Sequence, residues 1–434
     1  MNTGTTARGT GILRSPVQFR QTNWGGSARH PSYQAQVRPR CTSVNPSHLR
    51  NVRPLGDYRD ITGQATHQGM MTMGYICPDC GEGLPEDTPC PCTMGPDDED
   101  EGAARLVRGP LTAEVADIRS PVRQFLSDRF TIGLRDLQRR YRQGAPPLAV
   151  AAAPAVEANP GTVGTAADWL LRFLLHPRPS LKLAAVGAAL CGPRVAGPRD
   201  TPGAPVTGPD MGMLAALGEI AWSLGLGRDE MAGQGEAAFT GPLPGSDADP
   251  EHLARACWVL ALLTEVFRRG PMVAAMGPLG RFLDRRPSAE EMLALAPPAA
   301  LSQLAAFRQV FETALLPQLR AREGRWLIGP TFAGSALIRA DADVIAAGLL
   351  LELKTSAKLS LGITDLFQVI GYALLDFDDE YKLGTLGIFS ARYAYLATWG
   401  LGALLEELAE GQVSLQATRQ EFRQLLFACQ GRPR

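Results

Sequence analysis

Lysine is almost missing from this chain. Of 434 residues only Lys182, Lys354, Lys358 and Lys382 are lysine, and the rest of the 43 basic side chains are arginine. Each retained lysine therefore invites a local reason. Long apolar runs are missing too: no stretch approaches the roughly 18 uninterrupted apolar residues of a membrane helix. The amino terminus, MNTGTTARGTGILRSP, has no apolar core of a secretory signal. The expectation is a cytoplasmic protein with no membrane partner. Of eight cysteines four are clustered, while Cys41, Cys191, Cys257 and Cys429 are scattered, a usage that fits a reducing compartment better than a disulfide framework. Net charge is nearly absent as well, at −1, but it hides an asymmetry. Residues 1–60 carry nine arginines against Asp57 and Asp60, and residues 96–101 read PDDEDE. The wealth of Arg, Ala, Gly and Pro suggests a GC-rich bacterial genome.

What is present divides the chain into five stretches. Residues 1–74 are rich in Arg, Pro, Ser, Gly and Asn without a period of 2 or 3.6, which predicts an irregular segment able to touch phosphates. Residues 75–95 hold CPDCGEGLPEDTPCPC, in which Cys77 and Cys80 form a CxxC knuckle and Cys90 and Cys92 supply a second pair. Four thiolates at this spacing suit a tetrahedral structural Zn²⁺, the metal supplying folding energy that so small a segment lacks. A closed four-thiolate site has no open position, so no catalysis is expected of it. Residues 96–165 contain the acidic run, the amphipathic and arginine-rich RSPVRQFLSDRFTIGLRDLQRRYR of residues 119–142, and a linker-like GAPPLAVAAAPAVEANPGTVG.

From 166 to 300 apolar residues recur at helical spacing between Pro- and Gly-rich breaks, predicting an α-helical region whose Trp169, Trp222 and Trp258 are core. This region or the amino-terminal segment could also receive a protein partner. Residues 301–434 change character. GRWLIGP, ALIRADADVI, LLLELKT, a helix, LGTLGIFSARY and AYLATWGL read as β-β-β-α-β, a mixed α/β unit with flanking helices.

The chemistry concentrates in ADADVIAAGLLLELK. A hairpin turning at Ala347 and Gly348 pairs Ala346 with Leu349, Val344 with Leu351 and Asp343 with Glu352. Strand side chains alternate with period two, so Asp343, Glu352 and Lys354 share one face, with Asp341 opposite Lys354. Leu-Leu-Leu-Glu-Leu reads as a strand buried on both faces, which puts the two carboxylates in a poorly hydrated place. Such a pair suits Mg²⁺ or Mn²⁺, with Asp343 and Glu352 as ligands and waters left for a phosphate. Lys354 would then position or help deprotonate a water, work for which the compact, tunable ammonium suits better than guanidinium. On the next helix Gln368 and Tyr372 stand four apart, in reach of the same place, and Glu312 is an outlying candidate for a further metal ligand.

These residues resemble the PD-(D/E)xK nuclease superfamily, in which an Asp on one strand is followed by Glu-x-Lys on the next and then a helix. The Gln368-x-x-x-Tyr372 pattern is similar to its RecB-like branch. The resemblance covers roughly residues 301–400. It implies a restriction-endonuclease-like core in the 301–434 domain and a Mg²⁺-dependent nuclease acting on nucleic acid, DNA rather than RNA, in genome defence or repair. Asp343, Glu352, Lys354, Gln368 and Tyr372 would be its site. The alternative is a nucleic-acid-binding or assembly subunit whose activity is weak or needs a partner. It draws support from residues 301–434, where 13 basic side chains face 14 acidic ones.

Overall fold

A computed structural model describes residues 74–76, 83–85, 109–191, 212–233, 238–240 and 247–429. Met1–Asp97 and Asp98–Arg434 are separate units. In the first, β1 (Gly74–Ile76) pairs antiparallel with β2 (Gly83–Pro85), Tyr75 opposite Leu84. The cysteines Cys77, Cys80, Cys90 and Cys92, the arginine-rich segment before β1 and the acidic run all lie outside the described residues.

The second unit opens with three helices, α1 (Leu111–Ala116), α2 (Pro121–Arg129) and α3 (Leu134–Gly144). Pro121 at the first position of α2 and the Ser120 side chain accepting from the Val122 N–H give that helix its start. A linker was expected over 144–164; instead the chain is irregular only to Asn159, whose side chain caps α4 (Pro160–Leu175). That irregular piece is also packed: Val150 and Ala158 are buried, and the Ala149 and Val150 N–H groups donate to the Arg392 carbonyl. The helical layer continues through α5 (Lys182–Leu190), α6 (Gly212–Ser223), α7 (Arg228–Ala232), α8 (Pro250–Arg269), α9 (Met272–Met276), α10 (Ala289–Leu293), α11 (Pro298–Val310) and α12 (Leu316–Arg320). Between α11 and α12 the ladder widens into a π-helical turn at Phe311–Leu315, where Pro317 removes a donor from the following turn.

The sheet has six strands in the order β3 (Phe239–Thr240), β4 (Arg325–Ile328), β5 (Val344–Ala346), β6 (Leu349–Lys354), β7 (Thr385–Ser390) and β8 (Tyr395–Gly400). All neighbours are antiparallel except β6 and β7, which run parallel because α13 (Ile363–Leu375) carries the chain across between them. Two helices follow, α14 (Leu401–Ala409) and α15 (Leu415–Cys429). The fold class is thus α/β, a mixed sheet with flanking helices.

Alternation along β6 divides the core in two. Leu349, Leu351 and Leu353 join a core built with α4, α8 and α11, whereas Leu350 joins one built with α1, α2, α13 and α15. A central strand covered on both faces reads as a continuous apolar run, as LLLEL does. Glu352 and Lys354 take the parity of Leu350 and so face α13.

Two expectations change. Trp169 and Trp258 are core, but Trp222 is 79% exposed, because α6 buries Ala216, Leu217, Ile220 and Ala221 and turns Trp222 outward. The strand expected over ALIRADADVI shrinks to Val344–Ala346, since Ala333–Ala336 forms a 3₁₀ turn and Asp341 bridges to Thr331 instead. No helix among the described residues is long and apolar enough to cross a membrane.

Candidate active site

The hairpin forms at Ala347 and Gly348, both with positive φ (49° and 78°), the conformation of a two-residue turn matched to strand twist. A Cβ on Gly348 would lie 2.9 Å from the Lys382 carbonyl oxygen, so the turn requires glycine on steric grounds as well. The turn sets the register: Ala346 pairs with Leu349 and Val344 with Leu351. Asp343 falls one residue before β5, and its Oδ2 accepts from the Leu353 N–H at 2.7 Å. One carboxylate is thereby pinned beside the other.

Lys354 closes the group. Its ammonium donates to Glu352 Oε1 at 3.1 Å, to Gln368 Oε1 at 3.0 Å and to Asp365 Oδ1 at 3.1 Å. Gln368 Nε2 donates to Glu352 Oε1 and to the Tyr372 hydroxyl, each at 2.8 Å. The ring of Tyr372 is held by stacking on Phe332, centroids 5.7 Å apart. The structure therefore brings together Asp343, Glu352, Lys354, Gln368 and Tyr372 at one strand end. Against this order stands one unmet group: Glu352 Oε2 is buried without a hydrogen-bond partner among the described residues. Such an atom is costly in a folded chain and asks for a ligand.

The charges act on one another. Burial, then the neighbouring Glu352, then Asp168, push the Asp343 carboxyl well above the usual carboxylate range. Burial also raises Glu352, against the pull of Lys354. For Lys354 burial works downward, but the Glu352 and Asp365 carboxylates outweigh it and hold the ammonium above an ordinary lysine. Burial and the charge of Glu352 keep the Tyr372 phenol protonated. With no added cation, then, the Lys354 ammonium gives its hydrogens to Glu352, Gln368 and Asp365 and is held as a positive charge beside the carboxylates.

Other expectations miss. Asp341 does not stand opposite Lys354; its side chain is exposed and lies 3.9 Å from Arg268. Glu312 sits outside the group, exposed on the π turn and paired with Arg308 one turn away at 2.8 Å. Three further residues contribute. Asp365 both orients Lys354 and caps α13 by accepting from the Gly362 N–H at 3.1 Å. Asp168 and Arg172 of α4 form a pair at 3.0 Å with side chains only 15% and 7% exposed, and the guanidinium lies against Gly329, the residue whose N–H donates to the Asp343 carbonyl. Gly329 has φ of 62°, and a Cβ there would come within 2.7 Å of Arg172 Nη1. The sequence signal was an Asp and an Arg four apart inside the apolar AADWLLRFLL.

Among the described residues no three or more His, Cys, Asp or Glu side chains converge closely enough to hold a metal ion by themselves. Asp343 and Glu352 stand near enough for Glu352 to raise the Asp343 carboxyl, and Glu352 Oε2 has no partner among the described residues. That set fits a hard cation such as Mg²⁺, which is commonly bound through one or two carboxylates and keeps its other positions for water and phosphate. No family model, curated protein or solved structure matches the chain.

Proposed function

We propose that this chain is a divalent-cation-dependent nuclease of the PD-(D/E)xK type, hydrolysing phosphodiester bonds in nucleic acid, DNA in preference to RNA. The observation that carries the reading is the pairing of Asp343 and Glu352 beside a fixed lysine, with a buried oxygen of Glu352 left unpartnered. Asp343 and Glu352 would hold Mg²⁺ or Mn²⁺, which when bound supplies Lewis-acid stabilisation of the phosphate and a more acidic water. The chain's own groups do the rest. Lys354, oriented by Gln368 and Asp365, presents positive charge where negative charge grows on the phosphate. Gln368 fixes the Tyr372 hydroxyl as a hydrogen-bond acceptor, which leaves the phenol's own hydrogen to be given to substrate.

The test is Mg²⁺- and Mn²⁺-dependent cleavage of labelled linear, circular and single-stranded DNA by the purified chain, run beside Lys354→Ala. Cleavage that disappears in the variant supports the reading, and the preferred substrate separates end-directed from internal cutting. A folded, metal-replete chain that cuts none of them contradicts it and moves weight to a binding or assembly role.

A further inference from the structure

The arginine-rich stretch of residues 119–142 has no part in the site just described, yet the fold sets it next to that site. Seven arginines and two aspartates lie in it. Four of the seven are used or turned elsewhere: Arg123 donates to the Val115 carbonyl at 2.8 Å, Arg129 pairs with Glu421 at 3.0 Å, Arg140 pairs with Glu407, and Arg119 precedes α2. The remaining three, Arg135, Arg139 and Arg142, are exposed on α3 at spacings of four and three, which places them along one stripe about 10 Å long. Only Arg139 has an ion-pair partner among the described residues, Asp136 at 2.9 Å, and both side chains of that pair are about 60% exposed. An exposed pair of this kind yields readily to a better anion.

Two contacts tie the helix to the catalytic end of the sheet. The Tyr141 hydroxyl meets Ser390 Oγ at 2.5 Å, and Ser390 is the register partner of Lys354 on the adjacent parallel strand. Gln138, beside the stripe on the helix surface, donates to the Leu361 carbonyl at 2.8 Å, within the segment that joins Lys354 to α13. Tyr141 also packs on Tyr395 and Trp399 of β8, so α3 is braced against the sheet rather than free to swing. The helix that carries the stripe thus packs beside the strand end where Asp343, Glu352 and Lys354 meet, with the arginines exposed to solvent. Residues 301–434, by contrast, are close to neutral, so a polyanion would find little grip on them alone.

We propose that Arg135, Arg139 and Arg142 of α3 form a docking rail for the phosphate backbone of nucleic acid, holding the stretch that flanks the phosphate at Lys354. The inference rests on the nuclease reading. The occupant is a polynucleotide backbone because the stripe offers three planar, multiply donating cations at successive helical turns, which suits phosphates and gives affinity without sequence choice.

The experiment compares the full chain with Arg135→Gln/Arg139→Gln/Arg142→Gln, measuring fluorescence-anisotropy binding of a labelled DNA strand and duplex in EDTA across a salt series. Thermal melting serves as the folding control. The triple variant is expected to bind at least about tenfold more weakly, and the slope of log affinity against log salt to flatten by about 2–3. Arg140→Gln, which removes one charge from another face of the same helix, is expected to leave the slope nearly unchanged. A small diester, bis(p-nitrophenyl) phosphate with Mn²⁺, is too short to reach the rail, and its hydrolysis is expected to persist in the triple variant. Equal binding and slope in wild type and triple variant would overturn the rail, as would a wild type that does not bind DNA. Loss of small-diester hydrolysis in a folded triple variant would overturn it too, by placing the arginines in the chemistry. The nuclease reading fails separately, when the wild type hydrolyses neither the small diester nor DNA.

Discussion

Helix α13 has a cluster of charge at each end, and the two are built on opposite terms. At the carboxyl end Arg419, 2% exposed, donates to the Ala373 carbonyl at 3.0 Å, to Asp379 at 2.9 Å and to Asp376 at 3.3 Å, while Asp376 accepts from the Glu380 and Tyr381 N–H groups. One arginine faces two acids, and the hydrogen bonds of the buried acid are met from within the chain. At the amino end Glu352 and Asp365 share the ammonium of Lys354, Asp343 stands beside Glu352, and Glu352 Oε2 has no hydrogen-bond partner among the described residues. A cluster that is complete needs no ligand and serves the fold. One that is short of positive charge gains when a cation arrives.

Substitutions at the two ends should therefore separate activity from stability. The largest effect is expected at the amino end: Lys354→Ala should lower Mg²⁺-dependent cleavage by about 10³-fold or more, read as initial rates on labelled DNA per folded molecule, a loss far beyond any drop in folded fraction. At the carboxyl end, Arg419→Ala leaves Asp376 buried without its cation and should cost about 3–5 kcal/mol of stability in a denaturant titration. Any cleavage defect there should follow the folded fraction alone.

The unmet end predicts a sign for pH as well. Asp343 keeps its proton in the folded chain above the pH at which an unfolded chain releases it, so the folded state binds more protons over that interval. Stability without metal must then fall as pH rises from about 4 toward the raised value. Asp343→Asn, which retains an acceptor for the Leu353 N–H, should remove that fall and make the metal-free chain about 1–2 kcal/mol more stable at pH 8, with the gap closing near pH 4. Urea titrations at both pH values read it. A smaller effect sharpens the same contrast: saturating Mn²⁺ should raise the wild-type melting temperature by a few degrees and leave Asp343→Asn unmoved.

Much of the amino-end cluster was legible because it is local. Period-two alternation and a two-residue turn at Ala347 and Gly348 suffice to set Asp343 beside Glu352 and Lys354, and helical spacing suffices to bring Gln368 and Tyr372 to one side of α13. The rest depends on partners distant in sequence. Asp168 and Arg172 approach from a helix more than 150 residues earlier, and only the buried ion pair in an apolar run hinted at them. Asp365 was visible on the helix face but not its double duty, which depends on the path of the Thr355–Gly362 segment. Trp222 shows the converse limit: periodicity names an apolar helix, but which flank meets the core is decided by neighbouring helices. The fourth strand of the sheet's covered centre was readable, whereas β3, two residues long, carries no pattern at all.

The claim at the centre is that the amino end of α13 is an incomplete charge cluster completed by a divalent cation. Calorimetric titration of Mn²⁺ into the chain, beside Asp343→Ala and Arg419→Ala, addresses it without relying on turnover. A binding event is expected in the wild type that persists in whatever fraction of Arg419→Ala is folded and is lost in Asp343→Ala. A wild type that takes up no Mn²⁺, or an Asp343→Ala variant that takes it up equally well, would contradict it.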